Sequence, residues 1–201
     1  TLADGRISRF LEKPRPEDVT TNMINAGTYI LEPEVFKYVP PGQFYMFERG
    51  LFPVMLQTSD PMFGYPSHAY WTDVGKPQAY IEVHHDILIG KVKYPFKGKQ
   101  LGDRIWAEGE VQIHPSAQLV GPLVLGHGVT IGADAKLIGP TVVGPHCTIS
   151  AEASIEGAVL WDGNDIGPGA VLRSCVVGRN NRIGPKTHLL DGTIVGDDCT
   201  I

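Results

Sequence analysis

The chain has 201 residues, a hydrophobic fraction of 42% and a formal net charge of −5, which leaves room for one large domain or two smaller ones around a buried core. No basic run occurs, so the clustered Lys and Arg that neutralise nucleic-acid phosphates are missing and nucleic acid is not expected as a partner. No apolar stretch approaches the roughly 18 residues that span a bilayer and no signal peptide opens the sequence, so no membrane partner is expected either.

From the start of the chain, Asp4-Gly5 between short apolar segments predicts a hairpin turn. It leads into a strand that ends at Arg9-Phe10-Leu11-Glu12-Lys13-Pro14, and a loop rich in Pro, Glu and Asp follows. Residues Asn25 to Leu31 read as a buried strand. Pro33 opens a short helix at a position where its missing N–H costs nothing. Phe47 to Gln57 reads as another short helix, interrupted by Pro53, and Ala69 to Val74 as a strand and turn. Pro77 starts a helix with Tyr80, Val83, Ile87 and Leu88 on one face. Its adjacent His84 and His85 point in different directions, which argues for surface residues rather than a metal pair. Gly90 to Gly102 contains four lysines and few core residues, and reads as a linker.

Beyond the linker the texture becomes periodic. Steps of six from Ile113 land on Leu119, Leu125, Ile131, Leu137, Val143, Ile149 and Ile155, and the next lands on Trp161. Two residues then drop out, with Val171 or Leu172 as the intermediate apolar position, before the count resumes at Val177, Ile183, Leu189, Val195 and Ile201. A glycine commonly follows the aliphatic residue, as at Gly126, Gly132, Gly144 and Gly167. A small residue commonly sits four places after it, as at Ala117, Ala135, Cys147 and Ala153. A short strand and a tight turn fill six residues, and three such units close a triangular coil of about 18. The aliphatic side chain points into the prism, while Gly and Asn supply the freedom that turns need. Trp161 then reads as a local adjustment of the coil. Cys147, Cys175 and Cys199 form no metal-type CxxC pair and read as buried thiols, as in a cytoplasmic protein.

Two resemblances follow from these residues. The six-residue repeat is similar to the bacterial hexapeptide-repeat family, which implies a left-handed β-helix; the period alone does not give the hand. The motifs Phe10-Leu11-Glu12-Lys13-Pro14, Asn25-Ala26-Gly27-Thr28-Tyr29 and Trp71-Thr72-Asp73-Val74-Gly75-Lys76-Pro77 occur in the order found in sugar-1-phosphate nucleotidyltransferases. The resemblance implies a mainly β fold class: a left-handed parallel β-helix at 105–201, a linker at 91–104, and at 1–90 the C-terminal, sugar-binding part of an α/β nucleotidyltransferase domain. Among these enzymes, mannose-1-phosphate guanylyltransferases are resembled most. Thymidylyl- and uridylyltransferases for glucose 1-phosphate are close competitors.

The residue roles are likewise implied by the resemblance. Glu12 and Asn25, with Gly27 of the same motif, would bind the sugar, Lys13 would meet its phosphate, and Asp73 would be the catalytic Mg²⁺ ligand. Lys13 and Asp73 would carry catalysis, with a sugar 1-phosphate and a nucleoside triphosphate as partners. A Gly-rich nucleotide loop and a second metal aspartate, both part of the family pattern, are absent, so the 201 residues alone are expected to be inactive. Two other readings remain: an acyltransferase using His114, His127, His146 or His188, and a regulatory subunit without activity. A homo-oligomer, in the first instance a dimer through the β-helix, is expected on symmetry grounds.

Overall fold

The computed structural model describes residues 4–11 and 15–201, which divide into two compact units, Thr1–Trp71 and Thr72–Ile201.

In the first unit the predicted turn at Asp4-Gly5 leads to a distant partner. Arg6 bridges Phe63 in antiparallel sense, the Ile7 amide donates to the Met62 carbonyl at 2.8 Å, and the Gly64 amide donates to the Gly5 carbonyl at 2.9 Å. The other arm of the expected hairpin lies outside the described residues. Pro33–Tyr38 forms a 3-10 helix, opened by its proline as expected. A π-helical turn, Phe47–Leu51, runs directly into helix α1, Phe52–Gln57. Pro53 sits in the first turn of α1, so it does not interrupt the helix as the sequence suggested.

The core of this unit is small. Leu51, Phe52 and Met55 are buried, with Phe10, Tyr29, Leu31 and Phe47 packed against them. The Phe52 ring lies edge-on to Tyr29 at 4.9 Å between centroids and tilted against Phe10 at 5.0 Å. Asn25 to Leu31 and Ala69 to Val74, both expected as strands, form none. A strand needs a hydrogen-bonded neighbour, and no described residue supplies one; Ile30 is fully exposed rather than buried.

The second unit begins with helix α2, Pro77–Leu88, and continues as a parallel β-helix. Residues 99–102, within the stretch read as linker, form a strand antiparallel to Ile105–Ala107, and Phe96 stacks on Trp106 at 4.4 Å. From there three faces alternate. The first carries Ile105–Ala107, Leu123–Leu125, Thr141–Val143, Val159–Leu160, Val176–Val177 and Ile194–Val195. The second runs from Gln112–Ile113 to Arg182–Ile183, and the third from Gln118–Val120 to His188–Leu189. Inward aliphatic side chains stack into one continuous core in which Leu125, Leu137, Ile149, Ile155 and Ile166 are completely buried.

The register explains the two residues that drop out of the repeat. Leu125 pairs with Val143, 18 residues on, but Val143 pairs with Leu160 and Leu160 with Val177, each only 17 on. Both losses fall at the same corner, between the third face and the first, in successive coils. Leu160 and Leu172 are therefore the inward residues, and Trp161 points outward.

The glycines that follow the aliphatic positions work through space rather than through backbone angle. None of Gly126, Gly132, Gly144 or Gly167 has positive φ. A Cβ on Gly144 would lie 2.6 Å from the carbonyl carbon of Trp161 in the next coil, so only glycine permits the spacing there. The two asparagines at inward small-residue positions also differ from expectation. Asn180 has positive φ and fits the turn role, but Asn164 and Asn181 are buried inside the prism. Asn164 Nδ2 donates to the carbonyls of Trp161 and Gly178 at 2.7 and 2.8 Å, and its Oδ1 accepts from the Asn181 amide at 2.9 Å. Asn181 Oδ1 in turn accepts from the Cys199 amide at 2.7 Å.

Helix α2 packs against the β-helix through a face that shares Tyr80 and Leu88 with the predicted one but also includes Ile81 and His85. Ile81 and Leu88 are its buried residues. His85, between them on the same face, has Nε2 3.0 Å from the Gly157 carbonyl oxygen. Tyr80 OH accepts from Trp161 Nε1 at 3.0 Å, and the Arg179 guanidinium covers the Trp161 ring at 4.5 Å. The Arg104 guanidinium donates to the Leu88 carbonyl at 2.7 Å, occupying one of the open acceptors at the helix end. His84 and His85 are thus half-buried packing residues.

Candidate functional site

Glu12 and Lys13 lie outside the described residues. Asn25 and Gly27 fall in the first compact unit and Asp73 in the second.

The loop around Asn25 is held at three points. The Gly27 amide donates to Asn25 Oδ1 at 3.1 Å, closing a turn in which Gly27 has φ of 71°, a conformation suited to glycine. Trp71 Nε1 donates to the Ala26 carbonyl at 3.3 Å. Asn25 Nδ2 donates to Tyr29 OH at 2.6 Å, and Tyr29 OH donates to Glu48 Oε1 at 2.9 Å. Asn25 is exposed while Tyr29 and Glu48 are half-buried, so the amide is presented to solvent from a fixed base. The amide keeps one N–H and one lone pair unused by these bonds, the pairing that a sugar hydroxyl requires. The sequence reading named Asn25 but not its neighbour Glu48, which lies 19 residues from Tyr29 and carries no local signal.

Asp73 is exposed just before α2, with its carboxylate folded toward Gly75; a Cβ there would lie 3.2 Å from Oδ1. Its hard oxygen donors suit a divalent cation such as Mg²⁺, which is commonly held by one or two carboxylates together with substrate phosphates. One carboxylate makes only part of such a site, and no cluster of three or more ligating side chains occurs among the described residues.

The four histidines on which an acyltransferase would depend are scattered along the β-helix. His127 and His146 stand edge-on at 5.4 Å between ring centroids, His114 Nδ1 is 2.9 Å from Ser116 Oγ, and His188 is exposed. The pairing of the first face continues unbroken from Ile105 to Val195, with no inserted loop between its coils. Burial pushes the Cys147 thiol up and the Cys175 thiol up to about 12, so neither is a nucleophile near neutral pH. No helix of the described residues is long and apolar enough to cross a membrane.

Comparison with known proteins agrees with both halves of the chain. Residues 2–89 match the nucleotidyl transferase family, and residues 103–201 match the family described as the EIF2B subunit epsilon LbH (left-handed β-helix) domain. In both halves the chain is similar to sugar-1-phosphate nucleotidyltransferases that carry a hexapeptide-repeat β-helix. It is 33% identical over 173 residues to a mannose-1-phosphate guanylyltransferase of Mycobacterium tuberculosis, a match that covers 86% of this chain and 42% of the relative. A mannose-1-phosphate guanyltransferase of Hypocrea jecorina is 35% identical over 205 residues, covering 98% of this chain and 50% of the relative. A UTP–glucose-1-phosphate uridylyltransferase of Synechocystis is 31% identical over 204 residues, covering 98% of this chain and 47% of the relative. The chain thus spans about half the length of the curated relatives it matches. The nucleotidyl transferase match extends through the end of α2, whereas compactness assigns that helix to the β-helical unit.

Proposed function

We propose that this chain is part of an enzyme that makes a nucleotide-sugar, GDP-mannose in the first instance, and pyrophosphate from a sugar 1-phosphate and a nucleoside triphosphate. The observation that carries the reading is the likeness to two mannose-1-phosphate guanylyltransferases along nearly the whole chain, across both the motif-bearing half and the β-helix.

The chemistry supports these residue types. The sugar phosphate attacks the α-phosphorus of the triphosphate, so two polyanions must meet. Mg²⁺, when bound, would screen that repulsion and stabilise the charge that develops on the pyrophosphate. Asp73 is the residue of this chain that would hold it. Lys13 would orient and screen the sugar phosphate, while Glu12, Asn25 and the Gly27 turn would fix the sugar hydroxyls. Three thiols in no disulfide support a cytoplasmic location.

The test is steady-state pyrophosphate release by the full-length protein with a matrix of nucleoside triphosphates and sugar 1-phosphates. GTP with mannose 1-phosphate should give the highest kcat/KM. Preference for UTP or dTTP with glucose 1-phosphate would move the protein to a different nucleotide-sugar.

Self-association through the β-helix belongs to the same proposal. Exposed apolar residues on its outer faces, Val120, Leu190 and Ile194, support a contact between copies. Light scattering of the full-length protein should give at least a dimer mass. A constant monomer mass through the micromolar range would contradict it.

A further inference from the structure

Within that proposed function, we infer that Trp161 is a positioning residue: from the β-helix it fixes the first turn of α2, and through that turn the direction in which Asp73 presents its carboxylate. The inference rests on Asp73 being the metal ligand and adds the device that aims it.

Trp161 breaks the pattern of its column. The register places it level with Gly126, Gly144, Gly178 and Gly196, which follow the inward Leu125, Val143, Val177 and Val195 in the other coils. Every other member of this column is glycine, and the tryptophan stands where α2 meets the β-helix. Had Val143 paired 18 residues on, Trp161 would point into the prism; pairing with Leu160, 17 on, turns it out. The outward indole donates from Nε1 to Tyr80 OH at 3.0 Å, with the ring centroids 6.4 Å apart. Arg179, in the following coil, covers the indole at 4.5 Å. Its own amide donates to Asp197 Oδ1 at 2.6 Å, and that carboxylate also lies 3.8 Å from Arg179 Nη1. The indole is therefore held from its own side before it engages the helix.

Tyr80 belongs to the first turn of α2, and its amide donates to the Lys76 carbonyl at 3.1 Å. Ile81, buried beside it, holds the turn by non-directional packing, whereas the bond between Trp161 and Tyr80 sets an orientation. Between Asp73 and this turn the chain has little freedom. Pro77 fixes the backbone where the helix starts. The Asp73 carboxylate lies so near Gly75 that a Cβ there would stand 3.2 Å from Oδ1. Mg²⁺ demands near-ideal octahedral placement of its oxygen ligands, so a tilt of the first turn would carry the carboxylate off its position. Farther along α2, His85, Leu88 and the bond from Arg104 keep the helix docked without Trp161.

The experiment compares Trp161→Gly, Trp161→Phe, Tyr80→Phe, Asp73→Asn and the Asp73→Asn/Trp161→Gly double variant in the full-length protein. It measures kcat, each KM and the Mg²⁺ concentration for half-maximal rate, together with a melting curve and amide hydrogen exchange along α2 without Mg²⁺. Trp161→Gly gives this coil the residue that the others carry, so the β-helix should melt nearly as the wild type does. It should lower kcat and raise the half-maximal Mg²⁺ concentration, each about tenfold, while KM for the sugar 1-phosphate stays within about twofold. The Tyr80 amide should exchange about tenfold faster, while the Ile89 amide, bonded to the His85 carbonyl, keeps its protection. Trp161→Phe and Tyr80→Phe, which delete the bond and keep a ring, should give the same changes at about threefold. In the Asp73→Asn background, Trp161→Gly should lower kcat no further. If Asp73→Asn is nearly inactive but Trp161→Gly leaves the Mg²⁺ dependence or the Tyr80 exchange unchanged, the device is wrong while Asp73 remains the ligand. Faster exchange along all of α2 with a lower melting temperature would make Trp161 a structural residue only and overturn the inference too. Normal turnover in Asp73→Asn removes the metal ligand, and the inference falls with it.

Discussion

Asp73→Asn in the full-length protein is expected to lower kcat about a thousandfold, the scale on which losing a group that stabilises transition-state charge is felt. The substitution keeps the size and one oxygen of the side chain but removes the charge that a divalent cation needs. Asp73 is exposed and precedes α2, so thermal stability should change little. Measuring kcat across a Mg²⁺ titration beside a melting curve separates the two effects. Normal turnover at ordinary Mg²⁺ would remove Asp73 from the proposed site, and an unfolded variant would show that its role is structural.

The second large effect is one of stability. Asn164→Ala should destabilise the β-helix by about 3 kcal/mol, because it orphans the Trp161 and Gly178 carbonyls and the Asn181 amide together in a buried setting. Asn181→Ala should cost less, about 1 kcal/mol. It forfeits the bond to the Cys199 amide, but it also removes Asn181 Nδ2, a buried donor with no partner. Urea unfolding of the wild type and both variants, followed by circular dichroism, gives the ranking. Equal losses at the two positions would contradict the hydrogen-bond account of the ladder.

How much of this was legible in the sequence depended on how local each signal is. The β-helix could be read because each coil repeats the same demand: one aliphatic residue inward per face, as Leu125, Leu137 and Ile149 show. The break in the repeat was visible as two missing residues, but its distribution was not. Periodicity counts residues along the chain, whereas Leu160 is inward because Val143 and Val177 lie on either side of it in space. The general expectation that asparagine serves the turns passed over Asn164 and Asn181 for the same reason. Asparagine is a common turn residue, and only the stacking of coils reveals that these two satisfy the backbone inside the prism.

The helix face was read in part: Tyr80 and Leu88 lie on the packed side as expected, but Ile81 and His85 between them were not counted, and histidine hides from a hydrophobic count. In the first unit, Asn25 to Leu31 has a strand's composition, yet no described segment pairs with it. Composition indicates a capacity to pair, while the partner decides whether a strand forms. Asn25 and Asp73 came from motifs, because their chemistry is tied to neighbours in the chain. Glu48 did not, because its partner Tyr29 is close only in the folded protein.

The most direct test of the central proposal is to identify the product. Full-length protein would be incubated with Mg²⁺, an equimolar pool of the common nucleoside triphosphates, mannose 1-phosphate and glucose 1-phosphate, and the nucleotide-sugars separated and weighed by mass spectrometry. The proposal predicts GDP-mannose as the dominant product, formed with one pyrophosphate for each molecule made. A different dominant nucleotide-sugar would contradict the choice of substrate, and no nucleotide-sugar from any combination would contradict the enzymatic reading itself.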